Sequence, residues 1–200
     1  MTSESILALL GFAFVMSISP GPSNFLLLTS GANFGYFRSV PLVLGISAGF
    51  LSMVILVGVG LGEVLQQYPA IYLLLRVVCG AYVLWLALQI ARSRSLGTNT
   101  KLVAKPIGFI QAALFQWVNP KAWAVALILN VSYSTPDSYI VNMVLLVLLF
   151  AVINIPTISI WALSGAAMSN WLSVGNRIVV FNILMASLLI GSMIPMLLNS

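Results

Sequence analysis

Long apolar segments recur along the whole chain and constrain its fold more than any other feature. Only 6% of the 200 residues are charged, against about one-quarter in soluble domains. Segments long enough to cross roughly 30 Å of hydrocarbon as helices lie at residues 5–30, 40–62, 70–91, 108–131, 140–165 and 178–198. Because only helices and closed barrels satisfy their backbone hydrogen bonds in lipid, the sequence predicts an all-α, polytopic membrane protein of six transmembrane helices.

The few charged residues alternate in sign from one connection to the next. The basic residues of one set of connections are Arg38, Arg92, Arg94, Lys101, Lys105 and Arg177. The other set carries Glu4, Glu63 and Asp137. By the positive-inside rule the basic connections are cytoplasmic, which predicts that both termini lie on the outer, periplasmic side. Because no Lys or Arg precedes residue 38, we expect no cleaved signal peptide.

Domain organisation follows from the single polar linker. We expect one transmembrane domain over residues 1–200, with a first repeat at 1–91, a cytoplasmic linker at 92–107 and a second repeat at 108–200. Each half carries three segments, and an odd number forces the two halves into opposite orientations. This predicts two inverted three-helix repeats, an arrangement common in secondary transporters.

A break interrupts the first segment at Ser19-Pro20-Gly21-Pro22-Ser23-Asn24. Each proline removes a backbone donor, and glycine adds freedom, so an ordinary helix cannot continue. Irregular backbone at membrane depth is tolerated where protein buries it or where it lines a wet cavity. The break therefore predicts a binding site, with a new half-helix beginning at Ser19-Pro20.

A second break, Gln116-Trp117-Val118-Asn119-Pro120-Lys121, occupies the corresponding place in the fourth segment. Asparagine before proline is a good start for a half-helix. Exposed N–H groups at such a start attract a carboxylate, and freed carbonyls can receive an ammonium group. The pair of breaks fits a zwitterionic amino acid. The alternative is that both are ordinary packing kinks.

Lys121 lies too deep to reach either interface easily, so it needs a partner or water. It could contact a substrate carboxylate, exchange a proton, or bond structurally to carbonyls freed by Pro120. None of the three acidic residues lies deep in a predicted span. Neutral substrates therefore fit better than cationic ones.

Further polar residues could line a pathway. Gln116 lies in the second break, and we expect a third mid-span break at Asn154-Ile155-Pro156, with the polar residue Thr157 directly after it. Each polar residue could equally be an interhelical hydrogen bond.

The Gly45-x-x-x-Gly49 and Gly58-x-x-x-Gly62 spacings favour close helix packing, within the chain or in a homodimer.

Several function classes are excluded by composition. Histidine is absent and Cys79 is the one cysteine, which excludes an intramolecular disulfide, a Cys/His metal cluster and a paired-thiol electron relay. We expect no cofactor, no metal, no enzymatic activity and no nucleic-acid partner.

The residues resemble the LysE/RhtB family of amino-acid exporters. The matching residues are Ser19 to Asn24, Gly35, Arg38, Gly45, Gly49, Gly80-Ala81-Tyr82, Trp85 and Asn119-Pro120-Lys121. The resemblance implies a six-span exporter of the bacterial inner membrane, driven by the proton gradient. Lys105-Pro106-Ile107 and Gln116-Trp117-Val118-Asn119 look most like the branch that exports cysteine and O-acetylserine.

The leading hypothesis is a secondary transporter, an antiporter that exports neutral amino acids or close derivatives. Its partners would be a small zwitterion, protons and membrane lipid, with a homodimer possible. The predicted substrate-binding residues are Ser19, Pro20, Gly21, Pro22, Asn24, Asn119, Pro120 and Lys121, with Gln116, Asn154, Pro156 and Thr157 along a pathway. The alternatives are an exporter of other small or cationic metabolites, a structural membrane subunit without transport, and a membrane redox relay.

Overall fold

The computed structural model describes residues 3–61, 69–93, 105–133 and 139–191, and for residues 61, 69–76, 78–80 and 133 it describes the backbone alone. Within these ranges the chain forms eight α-helices and no strand. They are α1 (Ser3–Ile18), α2 (Pro22–Phe34), α3 (Tyr36–Leu56), α4 (Pro69–Arg92), α5 (Phe109–Trp117), α6 (Pro120–Tyr133), α7 (Tyr139–Leu172) and α8 (Arg177–Gly191). Four of the charged residues used to predict the orientation lie outside the described residues: Glu63, Arg94, Lys101 and Asp137. The side chain of Cys79 is also outside them.

Two of the expected spans are bent helix pairs. Helices α1 and α2 meet at 57°, and α5 and α6 meet at 70°. In the part of the chain that the structure describes, two helices are long and apolar enough to cross a membrane unaided. They are α7 and Tyr36–Gly60, which extends α3 through a wider turn. Counting each bent pair as one span gives four among the described residues, and α8 and the Ala81–Arg92 part of α4 are shorter apolar helices.

In the first break, the second half-helix begins at a different residue from the one predicted. It begins at Pro22, with Gly21 as the preceding extended residue, and not at Ser19-Pro20. Ser19 stays attached to α1, because its N–H donates to Val15 O at 3.0 Å and its hydroxyl to Met16 O at 3.2 Å. Pro22 takes the first helical position, where the missing donor has no intrahelical partner to lose.

The predicted third break is wrong. Helix α7 runs without interruption for 34 residues and contains Pro156 in its interior. The Thr157 hydroxyl donates to Ile153 O at 2.6 Å, and the Ser159 hydroxyl donates to Ile155 O at 2.8 Å. A single proline removes one intrahelical donor, and α7 continues past it.

Three apolar clusters are present among the described residues, and the two largest lie on either side of the breaks. One joins α2 and the first half of α3 to α4, α5, α8 and the second half of α7. The other joins α1 and the second half of α3 to α6 and the first half of α7. The breaks lie between the two clusters, so their polar groups sit near the middle of the bundle.

Small residues bring the helices into backbone contact. A β carbon at Gly45 would clash with Phe109 O, and one at Gly49 would clash with Ala113 O. Because both positions face α5 of the same chain, the Gly45-x-x-x-Gly49 spacing serves internal packing. The second spacing ends at Gly62, outside the described residues.

Candidate functional site

The two breaks are in direct contact through Lys121. Its ammonium donates to Ser19 O at 2.6 Å and to Ser19 Oγ at 2.7 Å, across 102 positions of sequence. A β carbon at Gly21 would lie 3.0 Å from Lys121 Cδ, so the glycine leaves room for the lysine stem. The first turn of α6 is thereby attached to the end of α1.

Ser23 forms a second connection between the breaks. Gln116 Nε2 and Asn119 Nδ2 each approach Ser23 Oγ at 2.8 Å, and all three side chains are buried. Ser23 lies inside the first break, yet the sequence analysis does not select it as a site residue. Its position directly after Pro22, in the first turn of the half-helix, is the signal that could have identified it.

The carbonyls at the end of α1 already have partners. Asn24 Nδ2 donates to Ser17 O at 3.0 Å and to Ser19 O at 2.8 Å. Ser19 O thus accepts from both Asn24 and Lys121. A substrate ammonium can replace Lys121 there only if the lysine moves away.

The start of α6 follows the predicted pattern. The helix begins at Pro120, and Asn119 Oδ1 accepts a hydrogen bond from the backbone N–H of Lys121 at 3.1 Å. In the other break, the first intrahelical bond of α2 runs from Phe25 N to Gly21 O at 3.0 Å. The N–H groups of Ser23 and Asn24 precede that bond. Such groups, with the positive end of the helix dipole, favour an anion.

A cavity of about 50 Å³ lies where the breaks meet, enough space for several waters. We call it the central cavity. Its polar lining comes from Ser17, Gly21, Ser23, Asn24, Gln116, Asn119, Lys121 and Asn154. Its apolar wall includes Ile46, Phe50, Phe150 and Ile158.

Asn154 connects the central cavity to two further helices. Its amide donates to Ser17 Oγ in α1 at 2.8 Å, and its carbonyl oxygen accepts from Ser47 Oγ in α3 at 2.9 Å. Ser17 is therefore another lining residue that sequence analysis missed. It is an isolated serine two positions before the break, and nothing in its sequence context separates it from other membrane serines.

The remaining predicted residues lie around the central cavity without lining it. Ser19 reaches it through Lys121, and the three prolines of the breaks shape the backbone that carries the lining. Pro156 and Thr157 are absent from the described lining.

Positive charge dominates the site. Among the described lining residues Lys121 alone is charged. Glu4, the acidic residue in the first turn of α1, lies 15 positions before Ser19, which is roughly 22 Å along a helix. The described residues contain no group of His, Cys, Asp and Glu that could hold a metal ion.

Comparison with known proteins gives consistent matches. The model of the LysE type translocator family matches residues 14–199. The cysteine/O-acetylserine efflux protein of Salmonella choleraesuis (strain SC-B67) is 33% identical over 167 residues, covering 82% of this chain and 84% of the relative. The protein of that name from Escherichia coli (strain K12) is 32% identical over the same coverage. No solved structure shows significant similarity. The resemblance found in the sequence is confirmed.

Proposed function

Since this chain belongs to the LysE family of membrane translocators, we propose that it exports small neutral amino acids or their close derivatives across a bacterial inner membrane. Family members are translocators and not enzymes, and the apolar helices fit a multi-pass membrane protein. The relatives named as cysteine/O-acetylserine efflux proteins support substrates of that size and charge.

The observation that carries the proposal is the meeting of both broken helices around one polar cavity. A bound amino acid would place its carboxylate at the N–H groups of Ser23 and Asn24 and beside the ammonium of Lys121. Its own ammonium would take the place at Ser19 O that Lys121 leaves. This exchange keeps the carbonyl satisfied before and after substrate binds.

The lining favours an uncharged substrate side chain. A cationic side chain would face Lys121 without an acidic partner among the described lining residues. Phe50 and Phe150, with ring centres 4.7 Å apart, offer an apolar wall to a short side chain.

Alternating access would come from two inverted halves of three spans each, with both termini periplasmic. Helix α1 packs on α7, and α5 packs on α3, so each half places its first half-helix against the middle span of the other. The two bends also occupy corresponding places in the halves. Protons would drive export by antiport, with Lys121 as the titratable group at the site.

The test is transport by purified protein in liposomes. We expect labelled O-acetyl-L-serine to be taken up above the level of empty liposomes, with competition by L-cysteine and L-serine and little by L-lysine or L-arginine. A protonophore should abolish accumulation driven by a pH gradient. Uptake no greater than in empty liposomes, or equal competition by organic cations, would overturn the proposal.

A further inference from the structure

A second and larger cavity lies at the end of the bundle where the basic connections are. Its volume is about 520 Å³, against about 50 Å³ for the central cavity. Cavities that bind small molecules usually measure roughly 300–1,000 Å³. It lies between α2, the end of α4 and the segment from Lys105 to Gln111. We call it the entry cavity.

One wall of the entry cavity is a buried polar network. Asn33 Nδ2 donates to Thr29 O at 2.8 Å and to Asn182 Oδ1 at 3.0 Å. Asn182 Nδ2 donates in turn to Ser93 O at 2.9 Å, which links α2, α8 and the end of α4. Polar groups buried within a membrane bundle are costly unless they are paired or line a hydrated path.

Thr29 supplies an unused hydroxyl at this wall. The residue is 6% exposed and lines the entry cavity. Its Oγ1 is buried and has no hydrogen-bond partner among the described residues. A buried hydroxyl left unpaired is unfavourable, so a rotation of the Thr29 side chain that brings the hydroxyl to a ligand in the cavity would be favourable.

Lys105 provides the charge. It is exposed and, of the described residues that line the entry cavity, it alone is charged. No described residue forms an ion pair or a hydrogen bond with its ammonium. The described lining therefore combines one cation with neutral hydroxyl and amide groups, which suits a carboxylate joined to a small polar group.

The entry cavity and the central cavity share two helices but not a lining. Ser23 lines the central cavity and Ser30 the entry cavity; these two positions of α2 are about 10 Å apart along the helix. On α5, fully buried Phe115 lies between Gln111 of the entry cavity and Gln116 of the central cavity. On α2 the two linings adjoin, because Asn24 of the central cavity and Leu26 of the entry cavity are two positions apart.

We propose that the entry cavity is a second binding site, on the cytoplasmic side, for a small zwitterion with an uncharged side chain. The carboxylate contacts Lys105, and the polar end of the ligand contacts Thr29 and the Asn33 network. The ligand class rests on the proposed function, since the cavity precedes the central cavity along the route of export. Substrate is captured here before it passes to the central cavity.

The experiment measures occupancy directly in protein reconstituted into lipid nanodiscs. Cys79→Ala removes the native thiol, and Gln89→Cys places a thiol in the lining of the entry cavity. A methanethiosulfonate reagent is then applied with and without saturating O-acetyl-L-serine. We expect at least fivefold slower modification with the ligand, and no slowing with L-serine methyl ester, which lacks the carboxylate. Arg177→Cys, on the same face but outside the described lining, is the matched control and should react at an unchanged rate.

Further variants separate this site from the central cavity. Lys105→Gln and Thr29→Val should each raise the concentration for half-maximal protection at least fivefold, whereas Lys121→Gln should leave protection intact. Loss of protection in Lys121→Gln, or unchanged protection in both Lys105→Gln and Thr29→Val, would overturn the second site. Protection without any transport by the wild-type protein would support the second site and refute the proposed function.

Discussion

Lys121 is the residue on which the proposed transport cycle depends most. Its ammonium bridges the end of α1 and the start of α6, and its two acceptors belong to one residue, Ser19. Lys121 is partly buried and pairs with no acidic residue in the described part of the chain, so dipoles hold its charge. That arrangement stabilises the substrate-free site and is weak enough for a carboxylate to compete for the lysine.

Replacing Lys121 by glutamine should lower efflux of O-acetyl-L-serine from proteoliposomes at least tenfold, because the charge that contacts the carboxylate is lost. Lys121→Arg should not restore efflux. The guanidinium is broader than the ammonium, and the space beside Gly21 fits the narrow lysine side chain. Arg177→Gln is the matched control. It removes a cation that stacks on Trp171 at 4.9 Å, away from the breaks, and should change efflux less than twofold. Wild-type efflux by Lys121→Gln would remove the lysine from the mechanism.

Residue types predict part of the site but not its pairings. Prolines, a deep lysine and the Asn119 cap are visible in the sequence because each breaks a local rule of helix formation. Ser17 and Ser23 are not, because a serine is acceptable anywhere in a membrane helix. What gives Ser23 its importance is Asn119, 96 positions away.

At the scale of helices, a proline predicts a break only together with its neighbours. Pro20 and Pro22 flank a glycine and end α1, whereas Pro156 stands alone and α7 continues through it. The hydroxyls of Thr157 and Ser159, which follow it, donate to carbonyls one turn back. A lone proline removes one donor without the second proline and the glycine that end α1, and α7 is not interrupted.

Backbone contact between α2 and α7 gives a prediction about stability. A β carbon at Gly165 would clash with Leu28 O. This is a backbone atom, so no side-chain rotation can relieve the clash. Gly165→Ala should therefore cost about 1–3 kcal/mol and lower the thermal transition of the detergent-solubilised protein by several degrees. Gly11→Ala is the control, since no atom lies within 4 Å of its added carbon, and it should leave the transition unchanged or raise it. Equal transitions for the two variants would contradict the packing of α2 on α7.

At the scale of the molecule, hydropathy and charge predict the helical membrane class and the order of the apolar segments. They do not predict that α7 extends to Leu172, nor which helices of the two halves pack against each other. Those features depend on contacts between distant segments, such as α1 with α7 and α5 with α3. No local pattern contains that information.

Orientation in the membrane is the prediction that belongs to this scale. Because most basic residues fall in one set of alternate connections of the sequence, we expect alkaline phosphatase fused after residue 200 to be active in the periplasm. A fusion within the linker, after residue 97, should be inactive, and green fluorescent protein at the two positions should give the opposite pattern. Active phosphatase at the linker would reverse the orientation and place the entry cavity on the outer side.

The central claim is that one substrate contacts both breaks, and calorimetric binding of O-acetyl-L-serine in nanodiscs tests it most directly. Ser23→Ala alters the first break, Asn119→Ala alters the second, and Ser52→Ala is a control outside the described lining. We expect each break variant to weaken binding about tenfold or more, the double variant to lose less than the product of the two, and the control to bind as the wild type does. Binding that is unchanged in either break variant would contradict a shared site.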